Sequence, residues 1–476
     1  MRLPIGYFDT KMTGDILQRI NDHSRIQSFL TGSSLSILFS MFNLVVFSII
    51  LLIYNPLIFA IFMIGSALYI IWVQLFLKKR AELDHKAFAQ ASAEQSNVVQ
   101  LIQGMQEIKL NGCEQQKRWE WERIQAKLFR LQIKTLALGQ YQQSGALVIN
   151  QVKNLVITAL VAKLVVDGNM TLGMMISVQY IIGQMNSPID SLIGFIHEAQ
   201  DAKLSMDRLS EVQMKQDEEP IETQLIRDIP TDVNLSLKEA LFSYDTTSIG
   251  EPVIRNINLT IPNGQQTAIV GLSGSGKTTL IKLLLGFYPL QKGEILLGGT
   301  SLNNYSLRQW RKQCGVVMQD GFIFSDTIAR NIAPGVEVID KKRLLESVIT
   351  ANIREFIESL PLGYNTKIGS EGHGLSQGQK QRLLIARAVY KNPQFVFFDE
   401  ATNSLDANNE KEIMEKLALF FEGRTSVVVA HRLSTVRHAD NIVVLENGEI
   451  IEQGTHETLI DLKGAYYKLV KNQLNL

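Results

Sequence analysis

Hydrophobic and polar positions follow two different patterns along this chain. From Ile26 to Leu77 there is no Asp, Glu, Lys or Arg in 52 residues. As helix that stretch would reach about 78 Å, two crossings of a roughly 30 Å hydrocarbon layer with a turn between them. Asn55-Pro56 supplies the turn, because proline disfavours helix in the residue before it. Spans are therefore predicted at 35–53 and 57–77. A soluble pair of core helices is the alternative, and the uninterrupted apolar length argues against it. Two further spans are predicted at 144–166 and 170–196, joined by the turn Asp167-Gly168-Asn169. Lys163 lies near a helix end and can snorkel. Lys153 lies deeper: either it faces protein, water or a translocation path rather than lipid, or it sits just inside the membrane boundary.

Between the second and third spans lie 66 residues, Lys78 to Gln143, with 11 Lys/Arg against 7 Asp/Glu. That excess marks the cytoplasmic side of a membrane. The composition favours helix, and Asn111-Gly112 reads as a turn. Folded as a hairpin, each arm would be about 45–50 Å long. The arm either reaches a cytoplasmic partner or is a solvated helical excursion.

After Met214 the chain turns polar, Lys215-Gln-Asp-Glu-Glu-Pro220, which reads as a linker. From about Val233 short β-branched runs alternate with helical stretches, as in an α/β domain. The expected organisation is a helical membrane domain at 1–210, a linker at 211–232 and an α/β domain at 233–476.

Composition narrows this further. The 47 basic and 47 acidic residues cancel, and a pI near 7.1 gives no reason to expect a nucleic-acid partner. The two cysteines, Cys113 and Cys314, have no metal-ligand spacing, which excludes a disulfide scaffold or zinc module and fits a reducing compartment. Mean hydropathy is +0.05, an average over two unlike halves.

Gly271-Leu-Ser-Gly-Ser-Gly-Lys277-Thr278 matches G-x-x-x-x-G-K-[ST]. It follows a strand-like run, Thr267–Val270, and opens a helix-like run, Thr279–Leu285. Glycines let backbone N–H groups curl around phosphates, and the new helix adds its positive end. Lys277 can reach the β and γ phosphates, and the Thr278 hydroxyl can hold Mg²⁺. Three more polar groups stand where apolar runs end: Gln319 after Gly315–Met318, Asp399-Glu400 after Phe395–Phe398, and His431 after Ser426–Ala430. Ligands of open parallel sheets bind beyond the carboxyl ends of the strands, so these residues are expected to converge on the phosphate loop. Asp399 would support Mg²⁺. Glu400 would orient and deprotonate an attacking water, and His431 would hydrogen-bond the γ-phosphate or that water. Tyr244 can stack on adenine or be a plain surface tyrosine. Ser376, before the helix-like run 380–390, reads as an N-cap that would let Gly378 and its neighbours offer N–H groups to an anion; plain capping is the other reading.

With these residues in place the chain resembles the ATP-binding cassette exporters over nearly all of its length. Tyr244 is similar to that family's adenine contact. Gly271, Ser273, Gly274, Ser275, Gly276, Lys277, Thr278 and Thr279 fall in its Walker A segment, and Gln319 in its Q-loop, which also touches Mg²⁺. Leu375–Gln379 looks like the signature, with Ser376, Gly378 and Gln379 as nucleotide contacts; Gln377 replaces the usual first glycine. Asp399-Glu400 looks like the Walker B end with its catalytic Glu, Ser404-Leu405-Asp406 like the D-loop, and His431 like the switch His.

The resemblance implies Mg-ATP as cofactor and a second copy of the chain as partner, the two cassettes pairing head to tail. It also implies alternating access across the cytoplasmic membrane, with the cassette facing the cytosol and the bilayer as a further partner. Leu3–Asp9 and Gly14–Arg19 look like the family's first intracellular loop, and Gln103–Lys109 like its second, whose coupling helix docks on the partner cassette. By that alignment this chain carries spans three to six only. Trp119-Glu-Trp121, Met170–Gly173 and Gln200–Ala202 look closest to bacterial exporters of bacteriocin-type peptides that carry a cysteine peptidase, so a peptide cargo is expected. A truncated, membrane-tethered ATPase that moves nothing on its own is the alternative. A soluble ATPase of DNA repair or translation conflicts with the apolar first half.

Overall fold

A computed structural model describes the chain except residues 1, 215–216, 220–223, 245–250, 370–371, 402–406, 431–435 and 475–476. The chain divides into two compact units, Tyr7–Gln216 and a second formed by Met1–Gly6 with Asp217–Leu476.

The first unit is built from long helices. Among the described residues, three are long and apolar enough to cross a membrane: Thr13–Tyr54, Pro56–Gln103 and Glu114–Val166. The first carries a π-helical turn at Phe29–Ser33. The break at Asn55-Pro56 is real. Asn55 caps the next helix, its Oδ1 accepting from Leu57 N at 2.9 Å and Ile58 N at 3.3 Å, with proline in the first turn where its missing N–H costs nothing. The 48 residues of Pro56–Gln103 and 53 of Glu114–Val166 are unbroken helices, about 72 and 80 Å long. Span and polar arm are thus one rod each. The short helix Met105–Leu110 and the turn at Asn111-Gly112, with Gly112 at φ +58°, join them.

The last helix, Leu172–Gln213, departs from expectation. It runs through Pro188 and well beyond residue 196, and it is not among the helices apolar enough to cross. The reason is a polar stripe at 179, 186, 190, 197, 201 and 208. Alternating steps of seven and four stay on one helix face. Gln179 donates to Thr158 (2.8 Å), and Asn186 accepts from Lys153 (3.0 Å). Asp190 accepts from Tyr69 (3.0 Å), and His197 shares a hydrogen bond with Gln142 (2.9 Å). Asp201 accepts from Arg80 (2.7 Å). Arg208 ends the stripe, bidentate on Asp22 at 2.8 Å and reaching Asp84 at 3.0 Å.

Lys153 therefore faces protein, not lipid. It is 5% exposed, with its ammonium 4.2 Å above the Phe62 ring. Its stem passes Gly65, where a Cβ would lie 2.6 Å from Lys153 Cγ. An apolar cluster including Leu51, Ile58, Phe62, Ile157, Val178 and Met185 fills the remaining interior.

The second unit is an α/β domain. A six-stranded sheet runs β12-β11-β3-β10-β9-β6, and a four-stranded antiparallel sheet runs β2-β1-β4-β5. The strands are β1 (Leu235–Phe242), β2 (Ile254–Ile261), β3 (Gln266–Val270), β4 (Lys292–Leu297), β5 (Thr300–Ser301) and β6 (Cys314–Val317). The short β7 (Asp326–Thr327) and β8 (Lys367–Ile368) pair apart from them. Then come β9 (Phe395–Asp399), β10 (Thr425–Val429), β11 (Asn441–Glu446) and β12 (Glu449–Gly454). β3, β10, β9 and β6 are adjacent and parallel. Their near-continuous burial is what a parallel sheet covered on both faces requires. The helix Lys277–Leu284 packs on one face with Trp310 and the antiparallel sheet, and Gln377–Tyr390 packs on the other.

The region expected to be a linker splits in two. Residues to Gln213 continue the last helix, whereas Glu218, Glu219 and Ile226 hydrogen-bond into the α/β domain.

The Asp22–Arg208 pair is nearly dry, at 2% and 5% side-chain exposure. Asp22→Ala should strip Arg208 of its bidentate partner and cost about 3–5 kcal/mol. The exposed pair Arg118–Glu122 should cost no more than about 1 kcal/mol when Arg118 is made Ala. Thermal unfolding of the two variants in detergent, followed by tryptophan fluorescence, checks the contrast.

Candidate nucleotide site

Register sets the geometry. Ile269 of β3 lies opposite Val429 of β10, Val429 opposite Asp399 of β9, and Phe398 opposite Val317 of β6. The four strands therefore end level, and the residues that follow them emerge along one edge. There the chain leaves β3 through Gly271 at φ +153°, where a Cβ would collide with the Leu445 carbonyl. It enters the helix through Gly276 at φ +102°. Only glycine fits the first position, and the second adopts a backbone that a side chain disfavours.

A cavity of about 550 Å³ opens at this edge, lined by Val253, Ser273, Gly274, Gly276, Lys277, Thr278, Thr279, Gln319 and Glu400. Segments more than 120 residues apart in sequence, at Lys277 and Glu400, thus share one space. Lys277 folds back over its own loop, donating to the Gly271 carbonyl at 3.0 Å and the Leu272 carbonyl at 2.8 Å. Burial pushes its pKa down, while Glu400 and Asp399 hold it up.

Asp399 is fully buried. Neither of its carboxylate oxygens has a hydrogen-bond partner of good geometry among the described residues. Desolvation raises its pKa and Glu400 adds to this; the Thr278 hydroxyl and Lys277 oppose it. A dry, orphaned carboxylate beside a threonine hydroxyl is an all-oxygen donor set suited to a hard divalent cation that keeps several waters. The residues fit Mg²⁺.

Glu400 adopts a left-handed backbone at φ +50°, a conformation that costs a non-glycine residue about 1–2 kcal/mol. It is held there by two main-chain hydrogen bonds. Its N–H donates to the Val429 carbonyl at 3.1 Å, and its carbonyl accepts from Gln381 Nε2 at 2.9 Å. Gln381, 8% exposed, was not anticipated from the sequence, and neither was Val253 in the lining.

Tyr244 is 47% exposed, its hydroxyl 3.1 Å from Thr279 Oγ1 and its ring edge-on to Phe242 and Tyr288. That leaves ring surface available beside the cavity. Ser376, Gly378 and Gln379 stand elsewhere. They form the first turn of Gln377–Tyr390, in a reciprocal cap where Ser376 Oγ accepts from Gln379 N (3.2 Å) and Gln379 Oε1 from Ser376 N (2.9 Å). None of the three lines the cavity. His431 and Ser404-Leu405-Asp406 lie outside the described residues.

Comparison with known proteins agrees with this architecture. Residues 254–403 match the ABC transporter family model and residues 1–189 match the ABC transporter transmembrane region. The leukotoxin export ATP-binding protein LtxB of Aggregatibacter actinomycetemcomitans is 34% identical over 478 aligned residues, all of this chain and 67% of that protein. The leukotoxin translocation ATP-binding protein LktB of Mannheimia haemolytica is 33% identical over the same shares. The structure of a bacterial Atm1-family ABC exporter with ATP bound superposes with a TM-score of 0.92 at 25% identity, covering 99% of this chain and 82% of that one.

Asp399 gives a test. Asp399→Asn should leave unliganded stability unchanged or slightly raised, because a buried uncompensated charge is removed. It should abolish the extra stabilisation that Mg²⁺ adds to ATP, while ATP with chelator stabilises as before. Thermal unfolding under the four conditions measures this.

Proposed function

The chain belongs to the ABC transporter family, a multi-pass membrane protein with a cassette that hydrolyses ATP, and from that premise we propose that it exports a peptide or protein cargo as a homodimer. The observation that carries the proposal is the shared cavity holding Lys277, Thr278, Gln319 and Glu400. The cargo class rests on the names of the leukotoxin exporters and on the resemblance to bacteriocin exporters. The membrane is taken to be the cytoplasmic one. The positive arm 78–143 and the cassette face the cytosol, where ATP is found.

In this reading Lys277 releases the Gly271 and Leu272 carbonyls and turns to the β and γ phosphates of ATP, while the loop N–H groups and the helix N-terminus cradle them. Thr278, Asp399 and Gln319 would hold Mg²⁺, which when bound would neutralise phosphate charge. Tyr244 stacks on adenine. Glu400 orients a water and accepts its proton as the oxygen attacks the γ-phosphorus and ADP leaves. His431 is assigned a hydrogen bond to the γ-phosphate. The level strand ends place these groups before substrate arrives, so little reorganisation is needed at the reacting centre.

The homodimer follows from what the cavity lacks. Ser376, Gly378 and Gln379 sit at an exposed helix N-terminus away from it, and a second copy placed head to tail would bring its own Ser376 and Gly378 over the γ-phosphate. The γ-phosphate then bridges two chains, and hydrolysis releases them. The helical arms carry that movement to the spans.

Glu400→Gln should lower hydrolysis at least a hundredfold with ATP affinity within about twofold of the unmodified chain. Phosphate release and nucleotide binding in lipid nanodiscs measure the two. Undiminished turnover would remove Glu400 from its role. For the dimer, Lys277→Ala and Ser376→Arg chains should each be inactive alone. Co-expressed, they should regain about a quarter of the normal rate, because half of randomly paired dimers keep one intact site. Hydrolysis without vesicle export would favour the tethered ATPase.

A further inference from the structure

Two consecutive carboxylates just beyond the last helix grip the α/β domain at one short segment. Glu219 accepts from Ser306 Oγ at 3.1 Å and from the Arg308 N–H, capping the helix Leu307–Gln313. Glu218 meets Arg311, near the other end of that helix, through two parallel hydrogen bonds of 2.7 Å each. Ile226 pairs with the same segment, donating to the Asn304 carbonyl and accepting from Ser306, both at 2.9 Å.

Arg311 does not stop at Glu218. Its guanidinium also donates to the Leu285 carbonyl at 3.0 Å and the Gly286 carbonyl at 2.7 Å, and lies over the Phe287 ring. Trp310, fully buried, donates to the Leu284 carbonyl at 3.0 Å. These carbonyls are the free C-terminal end of Lys277–Leu284, the helix whose first residues are Lys277 and Thr278. A cation there completes the helix electrostatically. The helix is eight residues long, a rod of about 12 Å. A change at Arg311 is therefore one short rigid element away from the phosphate site.

The other end of the connection is set by chain length. The last long helix ends at Gln213 with Met214 as its cap, and only three residues separate Met214 from Glu218. That chain spans at most about 14 Å. A displacement that exhausts this slack must load the Glu218–Arg311 pair.

We propose that Glu218 and Arg311 form a coupling clasp, in which Arg311 is a positioning residue that ties movement of the last membrane helix to the seating of the phosphate-loop helix. The proposal rests on the ATP-driven export reading above. It differs from a surface staple, because a staple would add stability without altering nucleotide affinity. A clasp is reciprocal. If engagement of the pair favours ATP binding, ATP binding must favour engagement to the same extent.

The full chain in lipid nanodiscs is compared with Glu218→Arg, Arg311→Glu and the double reversal. Each single variant should raise KM for Mg-ATP about fivefold or more, and the double reversal should not recover, because a carboxylate at 311 cannot donate to the Leu285 and Gly286 carbonyls. In a Glu400→Gln background, Mg-ATP should slow amide hydrogen exchange of the peptide 217–229, and Arg311→Glu should abolish that slowing. Unmoved KM in both single variants, or exchange at 217–229 indifferent to nucleotide, would overturn the clasp. So would single variants that only lower the unfolding temperature, since they would show a structural staple. Absence of hydrolysis in the unmodified chain would count instead against the export reading. The exchange comparison needs only nucleotide binding and would still decide the clasp.

Discussion

A carboxylate buried at the end of β9 with no hydrogen-bond partner of good geometry among the described residues, and an ammonium curled onto its own loop, are the tension around which the cassette is built. Dehydrating a charge costs several kcal/mol unless a partner compensates. Asp399 and Lys277 are kept in that condition by the sheet itself, because parallel strands in register leave their carboxyl ends at one level. A phosphate with its bound cation would satisfy both groups, the cation meeting the carboxylate and the phosphate the ammonium.

The membrane unit solves the opposite problem. Five polar side chains along one face of Leu172–Gln213 form a seam in which each is paired within the unit, three with Glu114–Val166 and two with Pro56–Gln103. In hydrocarbon an unpaired polar group has no water to fall back on. Pairing along the stripe therefore fixes the rotation of that helix about its axis, a choice that apolar packing alone would leave open. The nearly dry Asp22–Arg208 pair closes the seam at its far end.

Much of this was legible in the amino-acid order, for a physical reason. Phosphate binding demands contiguous residues, glycines at special dihedrals next to a lysine, so Gly271–Thr278 announces itself locally. The ends of apolar runs at Gln319 and Glu400 marked strand ends, and the register brought both to the cavity. Ser376 read as an N-cap, and the reciprocal bonds with Gln379 realise it. What was not legible depends on contacts without local pattern. Gln381 reaches the carbonyl of Glu400 across the fold, and Glu218 meets an arginine 93 positions away. The stripe on the last helix was written in the sequence at steps of seven and four. Its polar residues lie partly inside and partly beyond the span expected at 170–196, and only the continuous helix brings them to one face. The linker composition suggested loose chain, and hydrogen bonds to Ser306, Arg308 and Arg311 tie part of it down instead.

The central claim is that these separate segments meet over one triphosphate. The most direct measurement is an experimental map of the Glu400→Gln chain in lipid with Mg-ATP. The account requires the γ-phosphate beside Lys277, the metal bound by Thr278 and within reach of Asp399 and Gln319, and the residue at 400 facing a water in line with the γ-phosphorus. The signature turn at Ser376 should arrive from a second copy. Nucleotide bound away from the Gly271–Thr278 loop, or a metal ligated without Thr278 and out of reach of Asp399, would contradict it.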